Sequence, residues 1–136
     1  MSATFIQLND GWNADPNSPE PNTSIVDKSV QLSFILNPYI SKNTVLGNTA
    51  KLRFINCARY GFSHINDEGW YLGQCRFSKI APKWGEFYQN TGDPLLETSE
   101  VEWIDTGFQG GSHHYLFYFR DTCFECFADD WYIERD

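Results

Sequence analysis

The sequence predicts an all-β fold, a single antiparallel β-sandwich or partly closed β-barrel of about eight or nine strands with little helix. Three observations carry this expectation. Phe, Trp and Tyr make up 17% of the 136 residues, and rings and branched chains fit a pleated, half-buried surface. Apolar and polar residues alternate in short runs and do not recur at helical spacing. Clusters of Asn, Asp, Gly and Pro separate those runs at turn-like intervals.

Taken in order, Phe5-Ile6-Gln7-Leu8 reads as a first strand, stopped by Asn9-Asp10-Gly11. Residues 11–24, GWNADPNSPEPNTS, read as a long loop, because Pro16, Pro19 and Pro21 remove ladder donors. Trp12 within it is expected to pin the loop to the body or to join a binding surface. Val30, Leu32, Phe34 and Leu36 alternate with polar positions up to Pro38. Ala50, Leu52 and Phe54 alternate with Lys51 and Arg53, and that strand can continue through Cys57 to Tyr60. Asn66-Asp67-Glu68-Gly69 signals a turn. Trp70–Phe77 and Trp84–Gln89 read as further strands, and a short helix is signalled only at Asp93–Ser99. Val101 and Trp103 alternate with acids before Gly107, Gly110 and Gly111 break the chain.

Residues 112–134, SHHYLFYFRDTCFECFADDWYIE, form the centre of the expected single domain over 1–136. A hairpin folded about Asp121-Thr122 would set Phe119 opposite Phe124, Phe117 opposite Cys126 and Tyr115 opposite Ala128 on one face. Leu116, Tyr118, Arg120, Cys123, Glu125 and Phe127 would share the other face, since side chains alternate with period two. Trp131-Tyr132-Ile133 would then close the sheet after a kink at Asp129-Asp130.

Charge is segregated along the chain. Residues 42–83 carry seven cations against two acids, and residues 84–136 carry twelve acids against two arginines, within a formal net charge of −8. An acidic whole argues against nucleic-acid binding. Neither a basic, apolar leader nor an apolar run of membrane-spanning length is present, so the expectation is a soluble, cytoplasmic protein with four reduced cysteines.

Chemical signatures are sparse. Cys123-Phe124-Glu125-Cys126 has a metal-like spacing, but within a strand the two thiols point to opposite faces, as do the adjacent His113 and His114. The sequence favours packing over a metal site there, with no cofactor and no catalytic residue expected. No phosphate loop, nucleophile elbow or H-E-x-x-H occurs, and Gly107–Gly111 lacks a nearby lysine in sequence. The candidate ligand contacts are Trp12, His114, Tyr118, Arg120 and Glu125. If the face bearing Glu125 lines a cavity, Glu125, Tyr118 and His114 are polar ligand contacts. If it meets solvent, Glu125 and Arg120 are an ordinary surface ion pair, and this second reading is the one the sequence favours. The expected function is a non-catalytic binding or interaction module with an acidic C-terminal surface. Its partner would be a protein with a basic surface or a second copy of the chain. A small apolar ligand inside an aromatic-lined barrel is the alternative, with a metal-dependent enzyme behind it.

Overall fold

Alternation sorts the side chains into two sheets. In a computed structural model that describes residues 4–16, 19–39, 48–63, 86–91, 101–119 and 122–135, ten strands and no helix are found among those residues. They are β1 (Thr4–Gln7), β2 (Asn22–Val26), β3 (Ser29–Ile35), β4 (Thr49–Ile55), β5 (Arg59–Ser63), β6 (Phe87–Thr91), β7 (Glu102–Asp105), β8 (His113–Tyr118), β9 (Cys123–Ala128) and β10 (Asp130–Arg135). Six form one antiparallel sheet in the order β1-β6-β8-β9-β5-β7, and four form the other in the order β10-β4-β3-β2. Neither sheet closes on itself, so the arrangement is a sandwich and not a barrel. The expected strand at Trp70–Phe77, the turn at 66–69, the helix at 93–99, Trp84, Cys75 and Arg120 lie outside the described residues.

The space between the sheets is filled by rings. Trp12, Phe34, Phe54, Phe87, Tyr115, Phe117 and Phe124 belong to one buried cluster, with Phe117 and Phe119 stacked at 4.4 Å and Phe34 edge-on to Phe117 at 5.0 Å. Offset and edge-to-face contacts of this kind add about 0.5–1.5 kcal/mol each beyond the area they bury.

The long loop is shorter than expected. After Pro21 the chain enters β2, whose Thr23 and Ile25 stand opposite Leu32 and Val30 of β3. The prolines therefore confine the loop to residues up to Pro21, and the turn at Asp27 (φ 54°) closes a hairpin. The loop itself is bonded along β3, with Asp15 N–H donating to Ile35 O at 2.8 Å and Asn37 N–H to Asn13 O at 2.9 Å.

The expected continuation from Phe54 to Tyr60 is interrupted. Asn56 takes a positive φ of 51°, which an asparagine tolerates better than most residues, and the chain passes from β4 in the small sheet to β5 in the large one. It returns at Asp129, between β9 and β10. The two crossings are tied together by Asn56 Nδ2 donating to Asp129 Oδ2 at 3.1 Å and by Asp129 N–H donating to Ile55 O at 2.9 Å. Residues 130–134 of the expected central unit thus belong to the smaller sheet.

In the β8–β9 hairpin the observed partners are Phe117 with Phe124, Tyr115 with Cys126 and Leu116 with Glu125. That is two residues away from the expected register, because Phe119 N–H donates to Thr122 O at 2.8 Å and so sets Phe119 opposite Thr122 and not Phe124. A two-residue slip preserves the faces. Tyr115, Phe117, Phe124 and Cys126 point inward as anticipated.

The sheets differ in width. Strands lie about 5 Å apart, so two extra strands make the large sheet roughly 10 Å wider than its partner. Inward-facing Ile6 on β1 and Ile104 on β7 consequently remain 52% and 50% exposed. No helix among the described residues is long and apolar enough to cross a membrane.

Candidate functional site

Where β6, β8 and β9 run side by side, the outer face of the large sheet is buried much like the inner one, yet it carries polar groups. His114 is 6% exposed, Glu125 3%, and Asn90 4%. Glu125 therefore does not meet solvent, which corrects the favoured reading of it as half of a surface ion pair. The reason lies in the fold: this face of β8 and β9 is covered, and alternation alone does not say what covers a face.

Three strands assemble the polar centre. His114 on β8 stands opposite Asn90 on β6 and Phe127 on β9, while Glu125 lies two positions along β9 from Phe127. His114 Nε2 is 2.8 Å from Glu125 Oε1, and its Nδ1 is 3.1 Å from Asn90 Nδ2. The ring stacks on Phe127 at 4.6 Å. Arg59 continues the pile, its guanidinium 4.7 Å from the Phe127 ring and 4.6 Å from the Trp103 ring. Such a buried His–carboxylate contact fixes both partners, and removing one of them strands the other in low dielectric.

Of the sequence-selected residues, the fold brings His114 and Glu125 together. Tyr118 shares their face, two residues from Leu116, and its ring meets Tyr88 edge-on at 6.2 Å. Trp12 is on the opposite side of the sheet, 6% exposed, with rings of Phe34, Phe87 and Phe117 at 6.0–6.3 Å, so it anchors its loop in the core. Cys123 and Cys126 point to opposite faces; Cys126 lies in the inner cluster, where burial, followed by its contact with the Cys57 thiol, pushes its pKa well above the ordinary range. No group of three or more potential metal ligands gathers among the described residues.

The sequence did not single out Glu86. It accepts from Asn9 Nδ2, from Asn13 Nδ2 at 3.2 Å and from Gln7 Nε2 at 3.4 Å, and Asn9 Oδ1 accepts from Phe87 N–H at 3.1 Å. These contacts clasp the Trp12 loop to β6. Asp129 was expected only as an ordinary acid at the kink before Trp131. It accepts Ser112 N–H at 3.1 Å, Ser112 Oγ at 2.8 Å and the Asn56 amide, and those bonds lower its pKa, the Ser112 backbone donor contributing most. The glycine-rich turn before β8, with Gly107, Gly110 and Gly111 at positive φ, thus offers its amide donors to the protein's own carboxylate.

Two recesses adjoin these groups. At the ends of β6 and β8, a cleft of about 250 Å³ is lined by Gln89, Asn90, Thr91, Ser112, His113 and His114, with Gly111 and Phe127 completing it. Between the edges of the two sheets, a groove of about 350 Å³ is lined by Pro21 and Thr23 on one side and by Tyr60, Phe62, Glu102 and Ile104 on the other.

The segregation of charge along the chain is partly undone in space. Lys51 stands opposite Glu134 and Arg59 opposite Asp105 in the sheet registers, and Arg53 Nη2 lies 4.0 Å from Glu134. The described basic residues 51–59 therefore face acids of their own chain, which weakens the motive for pairing two copies head to tail through them.

Compared with protein-family models, curated proteins and solved structures, the chain matches none.

Proposed function

We propose that the protein is a non-catalytic interaction module that receives an extended segment of a partner protein in the groove between β2 and β7. The observation that carries this reading is the open seam. Ile104 on β7 and Ile25 on β2 both occupy core-facing positions of their strands, yet each is 50% exposed. Burying that apolar surface favours an occupant at roughly 25 cal/mol per Å². Glu102 in the groove and Glu20 beside Pro21 are exposed acids, and the chain as a whole carries −8. Like charge disfavours a second copy, whereas a segment with an aliphatic or aromatic residue flanked by Lys or Arg complements both features.

Peptide display against the purified protein tests this. Selected sequences are expected to combine an apolar residue with neighbouring Lys or Arg, and to lose binding to the Ile104→Asp variant. Reversing the groove acid with Glu102→Lys should shift the selected sequences towards Asp and Glu. Enrichment that is indifferent to both substitutions, or no enrichment at all, ends the proposal. Because Ile104 is already half exposed, its replacement leaves the core intact, which a thermal melt of the variant verifies.

A further inference from the structure

The groove between β2 and β7 has a hydrogen-bonding wall as well as an apolar one, and the bonds of β3 show which groups form it. Ile35 N–H donates to Pro19 O at 2.7 Å, on the side of β2, and Leu36 N–H donates to Asn48 O at 2.8 Å, on the side of β4. Successive residues of an antiparallel strand turn their backbone groups to opposite neighbours. Ser29, Gln31 and Ser33 therefore bond towards β2, where Val26, Ser24 and Asn22 stand opposite them. Thr23 and Ile25 are left with N–H and C=O pointing away from β3, and β2 ends its sheet among the described residues. No hydrogen bond to those groups is found among the described residues.

The same two residues turn their side chains to the core side, opposite the buried Leu32 and Val30. Thr23 lines the groove with Tyr60, Phe62, Glu102 and Ile104. A strand laid along β2 at the usual spacing of about 5 Å would extend the narrower sheet over β7. It would bond Thr23 and Ile25 through its backbone and cover Ile104 with alternate side chains. This edge also lacks the usual protection. Exposed edges are commonly blunted by charge or proline, and β10, at the other edge of the same sheet, carries Asp130, Glu134 and Arg135 among its six residues. β2 reads NTSIV, with neither. Exposed Glu20 lies just before β2 and exposed Glu102 across the groove. They favour a strand bearing Lys or Arg over a second copy of a chain whose net charge is −8.

We infer that the partner segment binds by strand addition, running antiparallel to β2 as an added strand of the smaller sheet, with apolar residues at every second position facing Ile104. This rests on the peptide-groove reading and deepens it with a backbone contact and a required periodicity. In an antiparallel pair, residues directly opposite one another exchange both bonds and share a face. The partner residues that enter the groove are therefore the ones whose N–H groups bond Thr23 and Ile25.

The test takes an apolar–basic peptide selected by display and follows amide hydrogen exchange in the ¹⁵N-labelled full chain. On binding, the Thr23 and Ile25 amides are expected to exchange at least about tenfold more slowly, as each gains an acceptor. Methylating the peptide's backbone nitrogens one at a time should weaken binding about tenfold at groove-facing residues and far less between them. Thr23→Pro removes an edge donor but no bond to β3, so its thermal melt should show a folded protein. Its peptide binding should nevertheless fall by about tenfold. A peptide that binds, and is lost in Ile104→Asp, yet leaves both amides exchanging freely overturns strand addition and leaves the groove reading standing. Methylation losses that do not alternate in this phase overturn it too. So does protection of both amides before any peptide is added, which would show the edge to be occupied already. If no peptide binds, the groove reading and strand addition fall together.

Discussion

Away from the open end at His113 and Phe127, the two faces of the β8–β9 hairpin are equally dry and chemically opposite. Inward lie Tyr115, Phe117, Phe124 and Cys126, at 0–2% exposure; outward lie His114, Leu116, Tyr118, Cys123 and Glu125, at 0–6%. The inner face is held by contact area among rings. The outer face adds groups that must be individually satisfied, with His114 bonded at both nitrogens and stacked on Phe127. The lesson of the contrast is that burial says how much a residue matters to the fold, while the need for specific partners says where recognition chemistry can be held in place.

Substitutions can break this contrast one face at a time. The largest effect is expected inside. Phe117→Ala removes a ring stacked on Phe119 and Phe87, and should lower the unfolding free energy in urea by about 3–5 kcal/mol. A loss under about 1 kcal/mol would mean the inner rings are loosely packed.

Outside, the effect should depend on pairing rather than volume. Glu125→Ala leaves His114 buried without its carboxylate and is expected to cost about 3 kcal/mol, whereas the double replacement Glu125→Leu with His114→Leu should recover much of it. If the double variant is as unstable as the sum of the singles, the two residues do not act as a pair.

A smaller effect is expected at the crossing that places both faces. At Gly110 (φ 125°) a Cβ would stand 2.6 Å from Asn56 O and 2.8 Å from Asp129 Oδ2, whereas one at Gly11 (φ 74°) would meet nothing within 4 Å. Gly110→Ala should cost about 1–3 kcal/mol and Gly11→Ala less, in paired thermal melts. Equal losses would show that only backbone strain, and not the Asn56–Asp129 contact, is at stake.

Stability against pH gives the mildest readings. Burial first, then Asp130, the Cys126 thiol and Asp129, push the inner-face Tyr115 up to about 12. An unfolded tyrosine titrates near 10, so the unfolded state releases its proton first and stability should fall as pH rises from about 10 to 12, an effect that Tyr115→Phe removes. Asp129 has the opposite sign. Its pKa is lowered by the Ser112 and Asn56 donors, so its contribution is present above the unfolded value near 4 and should fade as pH falls below it. That acid-side slope should lessen in Asp129→Asn. A slope unchanged by either variant would assign the pH dependence to other groups.

Much of the fold was legible in short runs. Alternation at Val30–Leu36 and Ala50–Phe54, and the division of residues 115–119 and 123–127 between two faces, follow from a period of two that any strand obeys. The register of the hairpin was not legible, because it depends on how Phe119 and Thr122 bond across the turn. Strand β2 was missed because the prolines before it masked the weak alternation of Thr23 and Ile25. Of the site, His114 and Glu125 stood out as polar residues in an apolar run. Asn90 and Glu86 did not, since nothing in their own neighbourhoods marks them until β6 is laid beside β8 and the Trp12 loop.

The sequence by itself determined the all-β class, the acidic balance and which residues share a side of each strand, because these depend on composition and on the geometry of neighbouring residues. Tertiary structure alone decided that Glu125 is enclosed with His114, that the described cations of residues 51–59 face acids of their own chain, and that Ile25 and Ile104 stand at an open seam. Each of those depends on which distant strands pair and on one sheet being two strands wider than the other, and these are settled by the free energy of the whole packing and not by any local pattern.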